Sequence, residues 1–157
     1  MNKIESFKID HTTLEPGIYV SRIDGDIVTY DLRMRKPNTN DLISNSAMHS
    51  LEHMLATYIR NSEIADEIIY VGPMGCQTGF YVLVRMNDNN KFLDELKKSL
   101  TNIINHTGEI FGKSPVECGN YINLSIDEAK SEAERYLKIL NSKENNFKYW
   151  KEKKLWE

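Results

Sequence analysis

Ile18-Tyr19-Val20-Ser21-Arg22-Ile23-Asp24-Gly25-Asp26-Ile27-Val28-Thr29-Tyr30-Asp31-Leu32-Arg33-Met34-Arg35 is the stretch from which the fold is read. Two runs rich in β-branched and aromatic residues, 18–23 and 27–35, are joined across Asp24-Gly25, a dipeptide suited to the positive φ of a tight turn, and so predict an antiparallel hairpin. In the second run Val28, Tyr30, Leu32 and Met34 share one face, and Thr29, Asp31, Arg33 and Arg35 share the other. The first face is core. By alternation alone, Asp31 and Arg33 read as a solvated face with a weak ion pair. Lys36-Pro37-Asn38 ends the strand.

Beyond the hairpin the period changes. Ser46 reads as an N-cap, opening a helix to about Arg60 with Met48, Leu51, Leu55, Tyr58 and Ile59 on its apolar side. Its first two turns carry His49-Ser50-Leu51-Glu52-His53. Residues four apart on a helix lie about 40° apart around the axis and one turn apart along it, so both imidazoles can reach one metal ion. Glu52 adjoins His53 and follows His49 by three residues, which places its carboxylate to move protons in the same site. His-x-x-Glu-His is the inverted form of the His-Glu-x-x-His metalloprotease helix. Four histidines occur in the chain, and two of them fall at ligand spacing inside an apolar helical pattern.

Residues 67–71 and 80–85 read as short strands around Gly72-Pro73-Met74-Gly75-Cys76-Gln77-Thr78-Gly79. Crowding of Gly and Pro around one Cys suggests a sharp path that presents the thiol, although a buried Cys at a strand bend fits the same letters. After the turn at 87–90, residues 91–107 form an amphipathic helix through Phe92, Leu93, Leu96, Leu100, Ile103 and Ile104, and His106 at its end is a helix-terminus residue. Ser125 with Glu128 is a capping-box signature for a further helix. Residues 1–17 show no period, so Ser6 and His11 read there as ordinary polar residues. Residues 141–157 read as a charged tail with Trp150 and Trp156.

At 157 residues the chain is read as one catalytic domain spanning 1–157, large enough to bury a core. A net charge of -3, from 20 basic and 23 acidic residues, supplies no field that argues for nucleic acid, so a small-molecule partner is expected. No apolar run of signal-peptide or membrane-spanning length occurs, and a cytoplasmic location with no membrane partner is expected. In a reducing compartment Cys76 and Cys118 are candidates for chemistry rather than for a disulfide.

A catalytic metal site has three protein ligands and an open position. With His49 and His53 in place, the remaining soft donors are Cys118, Cys76, His11 and His106. Cys118 lies on an irregular segment beside Gly119 that can approach a helix, and a His, His, Cys set suits Zn or Fe(II) over Mg or Ca. Two rival readings share the helix motif. An inverted-motif metallopeptidase has no use for a Cys in Pro-Met-Gly-Cys-Gln-Thr-Gly, and a structural metal module leaves Cys76 uninvolved.

Taken together, Glu5-Ser6-Phe7 with Asp10-His11-Thr12, Asp31-Leu32-Arg33 ahead of Pro37-Asn38, His49 to His53, Pro73-Met74-Gly75-Cys76-Gln77-Thr78-Gly79-Phe80-Tyr81 and Cys118-Gly119 resemble the LuxS family of S-ribosylhomocysteine lyases in order and spacing, from about residue 5 to residue 140. The resemblance implies an α/β (α+β) fold, a curved antiparallel sheet with helices packed on it, as in a metallopeptidase-like half-domain. It further implies a homodimer with two active sites at the subunit interface. Fe(II), replaceable by Zn or Co, would be held by His49, His53 and Cys118, with Glu52 and Cys76 as the acid/base pair. Ser6, His11 and Arg33 match substrate-contacting positions, with Asp31 beside them, and Arg60 at the end of the metal helix is a candidate partner for the homocysteine carboxylate. The implied activity is cleavage of the thioether of S-ribosyl-L-homocysteine to L-homocysteine and 4,5-dihydroxy-2,3-pentanedione, the precursor of autoinducer-2. Lys36 before Pro37-Asn38 and Tyr70-Val71-Gly72 before Pro73 depart from the family pattern, outside the catalytic set.

Overall fold

The hairpin expected at the N-terminal end is the start of a four-stranded sheet. In the computed structural model, which describes residues 1–149, β1 (Gly17–Asp24) and β2 (Ile27–Arg33) are joined by a two-residue turn with Gly25 at φ 61°. A positive φ at the first central residue is the position at which such a turn takes glycine. β3 (Ile68–Pro73) and β4 (Gly79–Val84) complete the sheet in the order β1-β2-β4-β3, every pair antiparallel. Gly79 opposes Arg33 at the start of the β2–β4 register, where a Cβ would lie 2.0 Å from the Leu32 carbonyl oxygen. Only glycine lets the two backbones meet there.

Three helices pack on one face of this open sheet: α1 (Asn45–Ile59), α2 (Asn89–Ile104) and α3 (Ile126–Asn141). Tyr30, Leu32, Phe80 and Val82 from the sheet meet Leu51, Met54 and Leu55 of α1, Phe92 and Leu96 of α2, and Ala133 and Tyr136 of α3 in one continuous core. Each Leu or Phe removed from water there contributes about 2 kcal/mol. The architecture is α+β. Because α1 buries Met48, Leu51, Met54, Leu55 and Ile59, its other side, with His49, Glu52 and His53, is left at the surface.

Three expectations are corrected. The N-cap of α1 is Ser44, whose hydroxyl accepts from the Ala47 N–H at 3.2 Å, two residues before the expected Ser46. Ser46 instead donates to Glu128 at 2.9 Å, which also takes Glu128 out of a reciprocal capping box with Ser125. Asp31, Arg33 and Arg35 are not solvated: they are 0 %, 1 % and 3 % exposed. Arg33 binds Asp31 with two hydrogen bonds, Nε at 3.1 Å and Nη2 at 2.6 Å, and Arg35 meets Glu132 from α3. The segment after α3 explains part of this burial. Phe147 bridges to Tyr19 on the free edge of β1, and Tyr149 stacks on Tyr19 with ring centroids 5.0 Å apart and donates its hydroxyl to Asp31 at 2.9 Å. Phe147 and Tyr149 thus cover the sheet at Tyr19 and Asp31, while Trp150 and Trp156 of the expected tail lie outside the described residues.

Candidate active site

His49 and His53 stand one turn apart on the exposed side of α1 with rings 4.7 Å apart and nearly perpendicular. Cys118, from the irregular segment between α2 and α3, approaches them, its Sγ 3.3 Å from His49 Nε2. The ligating atoms of His49, His53 and Cys118 lie within 4.8 Å of one another, so the three can hold one metal ion. His106, Cys76 and His11 do not join them among the described residues. His106 instead accepts from Tyr58 through Nδ1 and donates to the Glu109 carbonyl through Nε2, each at 2.8 Å.

The cluster is prepared for a cation. His53 Nδ1–H donates to the Phe111 carbonyl at 2.8 Å, and a carbonyl only accepts, so the ring proton is on Nδ1 and the Nε2 lone pair is free. His49 Nδ1 likewise meets the side-chain oxygen of Asn123. The backbone N–H of Asn120 points at Cys118 Sγ from 3.5 Å, a donor suited to a thiolate. Two imidazole nitrogens and one thiolate fit Zn or Fe(II), as borderline-soft donors prefer such ions. The approach of the Phe111 loop depends on Gly112, which has φ 74° and whose Cβ would stand 2.9 Å from His53 Nδ1.

Glu52 lines a cleft of about 570 Å³ with His49, Asn45, Asn123, Met74 and Gly75. Cys76 lines another, of about 460 Å³, with Ser6, His11, Arg33, Phe7 and Tyr81. Pro73, Met74 and Gly75 line both, so the two clefts lie on either side of one backbone segment. Cys76 sits exposed at the tip of the β3–β4 connection. The tip is closed by Met74 N–H on the Gly79 carbonyl at 2.8 Å, and Gln77 takes the positive φ of 64°. Gln77 also donates its side-chain amide to the Ile43 carbonyl at 2.8 Å, tying the thiol loop to the entrance of α1.

Behind the thiol runs a buried polar chain. Thr78 Oγ1 lies 3.0 Å from Cys76 Sγ and accepts from Arg33 Nη1 at 2.9 Å, while Arg33 in turn grips Asp31. Burial pushes the Asp31 carboxyl above its ordinary value, against the pull of the Arg33 guanidinium and the Tyr149 hydroxyl. Burial and the adjacent Asp31 charge raise the Tyr149 hydroxyl, which therefore stays protonated as a donor. Ser6, His11, Arg33 and Cys76 line one cavity, with Asp31 behind Arg33. Arg60 does not line either cleft: its guanidinium donates to the Ile68 and Ile69 carbonyls at 3.5 and 3.1 Å. Thr78, Phe111, Gly112 and Asn123 were not singled out from sequence, since none stands in a ligand or catalytic spacing.

Residues 4–147 match the model of the family described as S-Ribosylhomocysteinase (LuxS). Curated relatives agree. An S-ribosylhomocysteine lyase of Borreliella afzelii is 48% identical over 156 residues, covering 95% of this chain and 99% of that protein. One of Finegoldia magna is 45% identical over 152 residues, covering 92% and 97%. One of Porphyromonas gingivalis is 42% identical over 144 residues, covering 88% and 91%.

Proposed function

The chain belongs to the S-ribosylhomocysteinase (LuxS) family, and from that premise we infer a carbon–sulfur lyase that cleaves S-ribosylhomocysteine. One observation carries the reading: a His49, His53, Cys118 cluster able to hold a metal, with Glu52 on the same helix. Fe(II), with Zn or Co able to replace it, is the metal proposed. When bound there it supplies Lewis-acid stabilisation of negative charge developing on a sugar oxygen, worth several kcal/mol.

The rest is proton movement. The departing sulfur is on ribose C5, and a thiolate leaves readily only with a carbonyl β to it, at C3. The aldehyde begins at C1, so the carbonyl must pass to C2 and then C3, each shift removing a proton from one carbon and returning one to its neighbour. Loss of the C4 proton then breaks the C5–S bond, expels homocysteine thiolate and leaves an enol that takes a proton at C5. The products are L-homocysteine and 4,5-dihydroxy-2,3-pentanedione, the autoinducer-2 precursor.

Glu52 and Cys76 are proposed as the groups that carry these protons. Arg33 holds Thr78 Oγ1, which lies 3.0 Å from the Cys76 sulfur, and so fixes the group behind the thiol. Ser6, His11 and Arg33 line the cavity with the thiol and are proposed to orient the sugar. Asp31 is proposed to act by holding Arg33. Since Glu52 and Cys76 line different clefts of one chain, a homodimer that abuts them across its interface is the proposed assembly. Exposed Phe7 and Tyr70 stand beside these sites, as an interface needs. No helix among the described residues is long and apolar enough to cross a membrane, and two free cysteines suit the reducing cytoplasm proposed as its compartment.

The test is free-thiol release from S-ribosylhomocysteine by the Fe(II)-loaded protein without oxygen. One thiol and one dione per substrate support the lyase. A folded, metal-replete protein that releases neither contradicts it.

A further inference from the structure

A histidine ligates through a lone pair, so the nitrogen that carries the proton must point away from the metal. His53 meets this condition through the Phe111 backbone carbonyl. His49 relies on a side chain instead. Its Nδ1 faces Asn123, whose amide could present either an acceptor oxygen or a donor nitrogen. In the structure Asn123 Nδ2 donates to Asn45 Oδ1 at 3.1 Å, with Asn123 Oδ1 turned toward the imidazole. Asn45 is the first residue of α1 and lies one turn before His49, so Asn123 spans two residues on one face of the same helix.

We propose that Asn123, oriented by Asn45, is the positioning residue of the metal centre, holding His49 as its Nδ1–H tautomer with Nε2 aimed at the space shared with His53 and Cys118. A reversed amide would put its N–H against Nδ1 and the ring proton on Nε2, where it blocks ligation. Asn123 has a second hold on the centre. It closes the short 3₁₀ turn Tyr121–Asn123, five residues after Cys118, so the same side chain ties the thiol-bearing segment to the histidine helix. That docking continues at Ser125, whose N–H donates to Ser50 Oγ of α1 at 2.8 Å.

The proposal rests on the metal reading of His49, His53 and Cys118, and the test separates the two. Zn(II) affinity of the full chain is measured by competition with a chromophoric chelator, for wild type, Asn123→Leu, Asn123→Asp and Asn45→Ala, with long-range ¹H–¹⁵N spectra recording the His49 tautomer with and without Zn(II). Asn123→Leu is expected to weaken Zn(II) binding by about 10–100-fold, the usual consequence of losing an outer-shell partner. Asn123→Asp, which keeps an acceptor on Nδ1–H, is expected to stay within about threefold of wild type, with Asn45→Ala between the two. Metal-free wild type shows Nδ1–H at His49, and Asn123→Leu moves the proton toward Nε2. Wild type binding one Zn(II) while Asn123→Leu binds as tightly, or an Nε2–H tautomer in metal-free wild type, overturns the positioning role alone. A wild type that takes up no Zn(II) removes the metal reading and this proposal with it.

Discussion

The clefts on either side of Pro73–Gly75 are built by opposite means. Around Glu52 the groups stand on a helix, with His49 and His53 facing partial solvent and their outer nitrogens tied to a carbonyl and an amide. Around Cys76 the thiol is exposed on a turn, but what supports it, Thr78, Arg33 and Asp31, is buried in the sheet. The helical side depends on geometry that spacing alone prescribes. The sheet side depends on a buried charge pair that long-range packing must complete. Substitutions of the groups that support each site should therefore fail differently, with metal binding lost on the helical side and stability alone on the sheet side.

The largest effect belongs to the reacting groups. Glu52→Gln and Cys76→Ala are each expected to lower kcat by about 10²–10⁴-fold, the range for loss of a general acid or base, with Zn(II) content and thermal unfolding unchanged. Neither residue packs in the core, so a variant that also unfolds would break the distinction. Next comes Asp31→Asn. Removing one partner of a buried ion pair is expected to cost about 3–5 kcal/mol, because Arg33 keeps its charge in the interior without a carboxylate opposite it. Urea unfolding reads this loss directly, and a change under 1 kcal/mol, the scale of an exposed pair, would show the sheet side to be no different from a surface.

Gly112→Ala sharpens the contrast from the helical side. A methyl group 2.9 Å from His53 Nδ1, on a backbone at φ 74°, is expected to cost about 1–3 kcal/mol in strain. It also displaces the Phe111 carbonyl, so Zn(II) affinity falls along with stability. An unfolding curve and a chelator competition on the same sample measure both. The smallest effect is expected at Ser44→Ala, about 1 kcal/mol of stability from the lost cap. Zn(II) binding should survive, because tertiary packing of Leu51, Met54 and Leu55 holds the helix in place.

What could be read from the letters divides along the same line. His49 and His53 were legible because a 3.6-residue period carries ligand spacing and apolar face together. The start of their helix was misplaced by two residues because Ser44, Asn45 and Ser46 are all competent caps, and only tertiary contacts with Glu128 and Asn123 show which hydroxyl is free to cap. Alternation places Asp31 and Arg33 on a solvated face because it separates apolar from polar faces and says nothing of what covers the polar one. The covering groups include Tyr149, 118 residues away in sequence from Asp31. Asn123 carried no signal at all: an amide that sets a tautomer has no spacing of its own, only a position reached once the Cys118 segment has folded against α1.

The most direct measurement is release of homocysteine from S-ribosylhomocysteine by Fe(II)-loaded wild type, Cys76→Ala and Glu52→Gln, each shown to be folded and metal-replete. A lyase that draws on both clefts predicts thiol from the wild type and a loss of about 10²-fold or more in both variants. Release that persists in either variant, or none from the wild type, would contradict it.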